Sequence, residues 1–209
     1  MTYGELKELV KKYLHRSDLN NYIPTWLKFT HRLIQCGKLF CYQQKTFDPI
    51  DLTTSQDTYT LPSDLKRIEA IVVKDKTTNQ YVATLDYKPS PQFYHEAERI
   101  KNQYDYPVIY KKWSNSITVK PDVGSDDKYQ MIIEGYYELP FYSSDDDTDY
   151  LSENYPMLLV FGTLLHAESF IINDKRINLW AEMFKQHYQT YLNEETVIAV
   201  SDVKSSHLE

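Results

Sequence analysis

His166-Ala167-Glu168 is the one string in the chain that matches half of a zinc-enzyme signature, the H-x-E of nucleobase deaminases, where the histidine holds metal and the glutamate moves a proton. The other half, P-C-x-x-C, is absent. Cys36 and Cys41 lack the two-residue spacing of a zinc knuckle, and a bridge between them would close only a trivial loop, so both are expected as reduced thiols. Asp145, Asp146, Asp147 and Asp149 are acidic enough to attract a hard cation, but they lack the spaced carboxylates and closing glutamate of a calcium loop and read as a solvated acidic loop. No H-E-x-x-H, G-x-S-x-G or G-x-x-x-x-G-K-[ST] string occurs, and the five glycines are too scattered for a phosphate-binding loop. Thirty acidic residues supply many accidental pairs, so no acid/base dyad can be singled out. No cofactor, metal or catalytic residue is expected, and the protein is not read as an enzyme.

Recognition chemistry is better represented. Nineteen tyrosines stand in 209 residues, each with an apolar body and a polar tip suited to wet contact surfaces as well as to strands. Tyr104, Tyr106, Tyr110 and Trp113 are the right types for a platform that stacks on a glycan or peptide, although cross-strand pairing would use them equally well. Charge is uneven along the chain. Residues 1–45 hold eight basic and three acidic side chains, whereas residues 122–154 hold one basic and ten acidic. Segments of opposite sign suit head-to-tail contacts between copies or stacked partners. The net charge of −7 argues against a free-standing nucleic-acid binder.

These residues must be carried by elements of two kinds. Thr2 and Glu5 form a capping box ahead of Leu6, Leu9, Val10, Tyr13 and Leu14, which predicts an amphipathic helix stopped by residues 15–18. Pro24 opens a second helix with Leu27, Leu33 and Ile34 inward. From Phe47 the period changes to two, giving runs at residues 58–61, 68–73 and 81–85. A short helix follows at Ser90-Pro91, then a hairpin over residues 108–120 and a long strand over 129–139. From Pro156 the period returns to 3.6. That helix is apolar on more than one face, so one side meets the core and the other is expected to need a partner. Asn173-Asp174 caps a last helix carrying Ile177, Trp180, Ala181, Phe184, Tyr188 and Tyr191 on one stripe.

The resulting expectation is an α+β chain: a helical bundle built from both ends (residues 1–45 and 151–193), an inserted antiparallel β-sandwich or barrel-like domain (46–150) and a C-terminal tail (194–209). The longest mainly apolar stretch, residues 157–165, is far below the roughly 20 residues of a membrane span. The start lacks the basic and apolar regions of a secretory leader, so no export is expected.

In order and spacing, several strings resemble the head-to-tail adaptor proteins of tailed bacteriophages, especially short-tailed ones. They are Met1-Thr2-Tyr3-x-Glu5-Leu6 through Arg16-x-Asp18-Leu19, Ile23-Pro24, Tyr59-x-Leu61-Pro62-Ser63-Asp64, Tyr106-Pro107-x-x-Tyr110, Ile117-x-Val119-x-Pro121, Gly135-Tyr136-Tyr137, residues 158–167, Asp174-x-Arg176 and Trp180. Where that family often carries an acidic residue beside arginine in the second helix, Thr30-His31-Arg32 keeps only the arginine. The resemblance implies a structural virion protein at the head-tail junction, assembled in the host cytoplasm. It implies a homo-oligomeric ring, usually of twelve copies, between a portal protein and a tail protein (nozzle or tail hub). Double-stranded DNA would pass through without specific binding, and no membrane is involved. A small β-sandwich module binding glycan or peptide is the alternative.

The interface candidates are Phe161 and Leu165 on the two-sided helix, Lys11, Lys12 and Arg32 on the first two helices, and Val197, Ile198 and Val200 in the tail. Residues 197–200 are four consecutive β-prone apolar residues, suited to adding onto a partner's strand or groove. Adaptors of the resembled type send such segments into the portal.

Overall fold

A computed structural model of the chain describes residues 1–36, 38–171 and 176–205, with side chains through Glu195. Among them are six α-helices and nine strands in two sheets. The chain divides into a helical unit, Met1–Tyr42 with Leu139–Glu209, and a β unit, Gln43–Glu138.

In the helical unit, α1 (Tyr3–Leu14) begins with the expected capping box, Thr2 Oγ1 accepting from Glu5 N–H while Glu5 accepts from Thr2 N–H, and ends at His15 in the left-handed region (φ 55°). A 3-10 turn (Ser17–Tyr22) leads into α2 (Ile23–Cys36). After the β unit, Asp149 caps a short α4 (Tyr150–Asn154), followed by α5 (Pro156–Ile171) and α6 (Ile177–Ser205). The expected cap Asn173-Asp174 lies outside the described residues. Helix α5 is buried almost all round, and α1, α2, α4 and α6 all pack against it. The second apolar face that was expected to need a partner is therefore covered by the chain itself. Gly162 makes this possible: a Cβ there would stand 2.4 Å from Thr30 Cγ2 and 2.9 Å from Phe184.

In the β unit, β1 (Gln44–Thr46), β9 (Tyr129–Tyr137), β4 (Leu65–Asp75) and β5 (Tyr81–Thr84) lie in that order, with β2 (Ile50–Asp51) also on β9. The second sheet runs β3 (Thr58–Thr60), β8 (Ser116–Lys120), β7 (Ile109–Trp113), β6 (Asp86–Tyr87). The expected β7–β8 hairpin is present, turning at Ser114 with φ 53°. Ile71, Val73, Met131 and Ile133 from one sheet and Tyr59, Ile117 and Val119 from the other form one buried cluster, the geometry of two sheets packed face to face.

Two features differ from the expectation. The sheets are open and do not close into a barrel, since the outer strands are only two to four residues long and carry too few hydrogen bonds to join edge to edge. The pairing is also not antiparallel throughout. Helix α3 (Ser90–Ile100) connects β6 to β7 as a crossover, so these two strands run parallel. Phe93 and Ile100 of α3 pack with Ile109 of β7 beneath it.

Candidate subunit interface

Helix α2 carries two adjacent apolar stripes. Ile23, Leu27, Thr30 and Ile34 form the buried one. The other runs from Tyr22 through Phe29 to Leu33 and faces outward: Tyr22 is 47%, Phe29 54% and Leu33 53% exposed, with Tyr22 stacked on the buried Trp26. Leu33 was expected inward, and the structure places it outward because Ile34, one residue on, takes the core position. Two residues of α5 extend this strip. The Phe170 ring (54% exposed) lies 5.2 Å from Tyr22 and 5.6 Å from Trp26, and His166 sits 6.1 Å from Phe29. Burial alone lowers the His166 pKa, which favours its neutral form. Contiguous exposed aromatics rimmed by polar residues mark an interaction surface, and here Lys28, Arg32 and Cys36 supply the rim.

Behind this face, a buried polar network ties α2 to the segment that follows the β unit. His31 Nε2 lies 2.7 Å from Asp149 Oδ2, with both side chains under a tenth exposed. Asp149 Oδ1 accepts from Tyr142 Oη and from Ser152 N–H, each at 2.7 Å. Burial opposes the charge on Asp149, but the hydrogen bonds from His31, Ser152 and Tyr142 outweigh it and hold the carboxyl below its ordinary range. Gln35 Oε1 accepts from Leu139 N–H at 2.7 Å, which turns its amide Nε2 toward His31 Nδ1 at 3.0 Å. Nδ1 must then accept, and Nε2 donates to Asp149. A histidine oriented by aspartate is two-thirds of a hydrolytic triad, but here the remaining ring nitrogen faces a buried amide and no nucleophile. The network works as a clamp.

A second cluster uses tyrosine. Tyr150 and Tyr155 both donate to Glu195 Oε1, at 2.8 and 3.2 Å, and Tyr42 Oη meets Tyr191 Oη at 2.9 Å. Burial first, and then Glu195, push the Tyr150 phenol up to about 12. Much of the tyrosine excess is thus spent inside the helical unit.

The structure scatters the candidates read from sequence. Phe161 is buried against Tyr13, Trp180 and His187. Leu165 is half-buried, Lys11 pairs with Glu8 at 2.5 Å, and Lys12 and Arg32 are exposed. Val197, Ile198 and Val200 fall within α6, and their side chains lie outside the described residues, as does the whole of 206–209. The basic and acidic segments, expected to face different neighbours, meet within one chain: Lys7 pairs with Asp145 at 2.5 Å, and Tyr3 and Gly4 N–H donate to Asp147 and Asp145 carbonyls.

In the H-x-E string, His166 lies in the strip, while buried Glu168 binds Arg176 at 2.6 Å and accepts from Trp180 Nε1 at 3.5 Å. The two side chains serve different neighbours. No group of three or more His, Cys, Asp or Glu able to hold a metal occurs among the described residues. In the β unit, Tyr104 packs on Tyr106 and Tyr110 on Tyr87, while Trp113 is 75% exposed with no ring neighbour among the described residues, so the four do not make one platform. The Tyr22–Phe170 strip escaped sequence reading. Its one signal was the double apolar stripe on α2.

Among the described residues no helix is long and apolar enough to cross a membrane. No curated protein matches the chain. The family model described as SU10 adaptor protein matches residues 1–205, and the chain belongs to that family of phage adaptor proteins.

Proposed function

We propose that the protein is a structural, non-enzymatic virion component, a head-to-tail adaptor that forms a homo-oligomeric ring, of twelve copies, between portal and tail. Double-stranded DNA passes through its channel without specific binding. In this reading the helical unit forms the ring, with the β unit inserted in it, and residues 194–209 reach toward the portal. The observation that carries it is the family match across nearly the whole chain, joined to an uncovered aromatic strip on the helical unit.

A second copy is the occupant that suits the strip. Rings are built from heterologous contacts, in which one patch meets a different patch on the next subunit. An aromatic strip rimmed by Lys28 and Arg32 fits such a seam in a chain that also exposes acidic Asp145 and Asp146. An overall negative charge also suits a channel wall, because a basic one would hold the phosphates that must slide past.

Electron microscopy and sedimentation of the chain mixed with its candidate portal test the reading. Closed rings that Phe29→Asp and Leu33→Asp abolish, with the isolated chain still folded, support it. A monomer that forms no ring with or without the portal, or rings indifferent to both substitutions, would sink it.

A further inference from the structure

Several cations of the β unit pair with carboxylates: Lys45 with Asp64, Lys76 with Asp51, Lys120 with Asp57 and Asp122, Lys128 with Asp105. Arg67 and Lys112 are exceptions, entering no ion pair among the described residues. Both line a crevice of about 470 Å³ together with Lys66, Ile68, Tyr87, Tyr110 and Ser114. Three cations and no carboxylate border it, in a protein of net charge −7.

The crevice follows from the path of the chain. Strand β5 pairs with β4 only at Val72, Val73 and Lys74, and Leu85 N–H makes a last contact with the Ile71 carbonyl at 2.8 Å. The chain then crosses to the other sheet, where Asp86 and Tyr87 align with Ile109 and Tyr110. Residues 66–70 of β4, where its register with β9 shifts between Leu65 and Arg67 and between Ile68 and Ala70, are left with β9 on one side and no strand on the other among the described residues. An open strand edge thus lies along a basic groove, and the Tyr87 and Tyr110 rings, 5.6 Å apart, form its apolar wall.

We propose that this groove binds an extended acidic peptide segment of a partner protein, which adds as a strand beside residues 66–70 and sets carboxylates against Arg67 and Lys112. Main-chain hydrogen bonds would hold the segment, and alternate side chains would read the groove. The Arg67 guanidinium suits a carboxylate because its fork can donate two parallel hydrogen bonds. A peptide fits better than a polynucleotide, since a strand edge offers both N–H and C=O groups. A phosphate backbone only accepts, and the protein's overall charge repels it. The proposal stands apart from the ring reading because it is tested on the free chain.

The probe is a fluorescein-labelled peptide alternating glutamate and valine, titrated against the full chain by fluorescence polarisation, with a lysine-for-glutamate peptide as control. Saturable binding is expected for the acidic peptide only, with new hydrogen-exchange protection at residues 66–70. The double variant Arg67→Gln, Lys112→Gln should weaken it about tenfold or more, the scale of one lost charge-assisted hydrogen bond. Both side chains are exposed, and the single variants serve if the double variant unfolds, each then weakening binding on its own. The proposal is overturned if the acidic peptide fails to saturate at about 1 mM, if the variants bind as tightly as wild type, or if protection appears on another element. A DNA duplex that binds with the same variant dependence while the peptide does not would assign the groove to phosphate instead.

Discussion

The helical unit and the β unit place their charges in opposite ways. In the helical unit, Asp149 is buried among His31, Tyr142 and Ser152, and Glu168 is buried beneath Arg176 and Trp180. In the β unit no charged side chain is buried among the described residues, and ion pairs such as Lys45–Asp64 sit on the surface. The difference has a physical root. Strands are held in register by their own ladder, and a slip of one residue would turn every side chain to the wrong face. Apolar helix faces lack that constraint, and directional contacts such as His31–Asp149 can lock helices from distant parts of the chain in one arrangement. Six substitutions put this contrast at risk.

The largest effect is expected for Asp149→Ala, which strands His31, Tyr142 and the Ser152 N–H. A buried donor left without its acceptor costs about 1–3 kcal/mol and three are orphaned here, a loss read in denaturant by fluorescence of the buried Trp26 and Trp180, both in the helical unit. A loss near zero would mean that the network locks nothing. The pH dependence provides a second reading of the same group. Asp149 titrates below its ordinary value, so its contribution is complete above about pH 4 and is lost as pH falls through the lowered value. Asp149→Asn should flatten that acid limb.

Next come the two glycines where elements approach most closely. Gly135→Ala in β9 would press a Cβ to 2.3 Å from the Arg67 carbonyl oxygen, a backbone atom that cannot swing aside. Gly162→Ala meets Thr30 and Phe184 side chains, which can adjust. Overpacking costs about 1–3 kcal/mol, with Gly135→Ala at the upper end and Gly162→Ala at the lower in thermal unfolding. The reverse order would show the helical unit to be the more rigid of the two.

Phe29→Asp should move assembly while shifting the stability of the isolated chain by no more than about 0.5 kcal/mol, as for an exposed position. A large destabilisation would show that the strip belongs to the core. The smallest effect is expected for Arg99→Ala in the β unit, whose pairing with Glu96 lies on the surface of α3: the unfolding midpoint should not move. A clear drop would erase the contrast between buried and surface ion pairs.

Local features were legible in the sequence because they depend on neighbours three or four residues away, or on the two-residue alternation of a strand. The Thr2–Glu5 box, the helix from Pro156, the hairpin over residues 108–120 and the short helix after Pro89 are of this kind. What only the tertiary structure decided is which surfaces those elements share. Two neighbouring stripes on α2 were equally apolar, and packing against α5 chose the one ending at Ile34, leaving Phe29 and Leu33 outside. The second face of α5 was met by the chain's own helices, and the acidic loop supplied Asp149 to a histidine 118 residues earlier. The reason is physical: periodicity follows from backbone geometry alone, whereas the choice among similar apolar faces and distant charges depends on how all contacts are satisfied together.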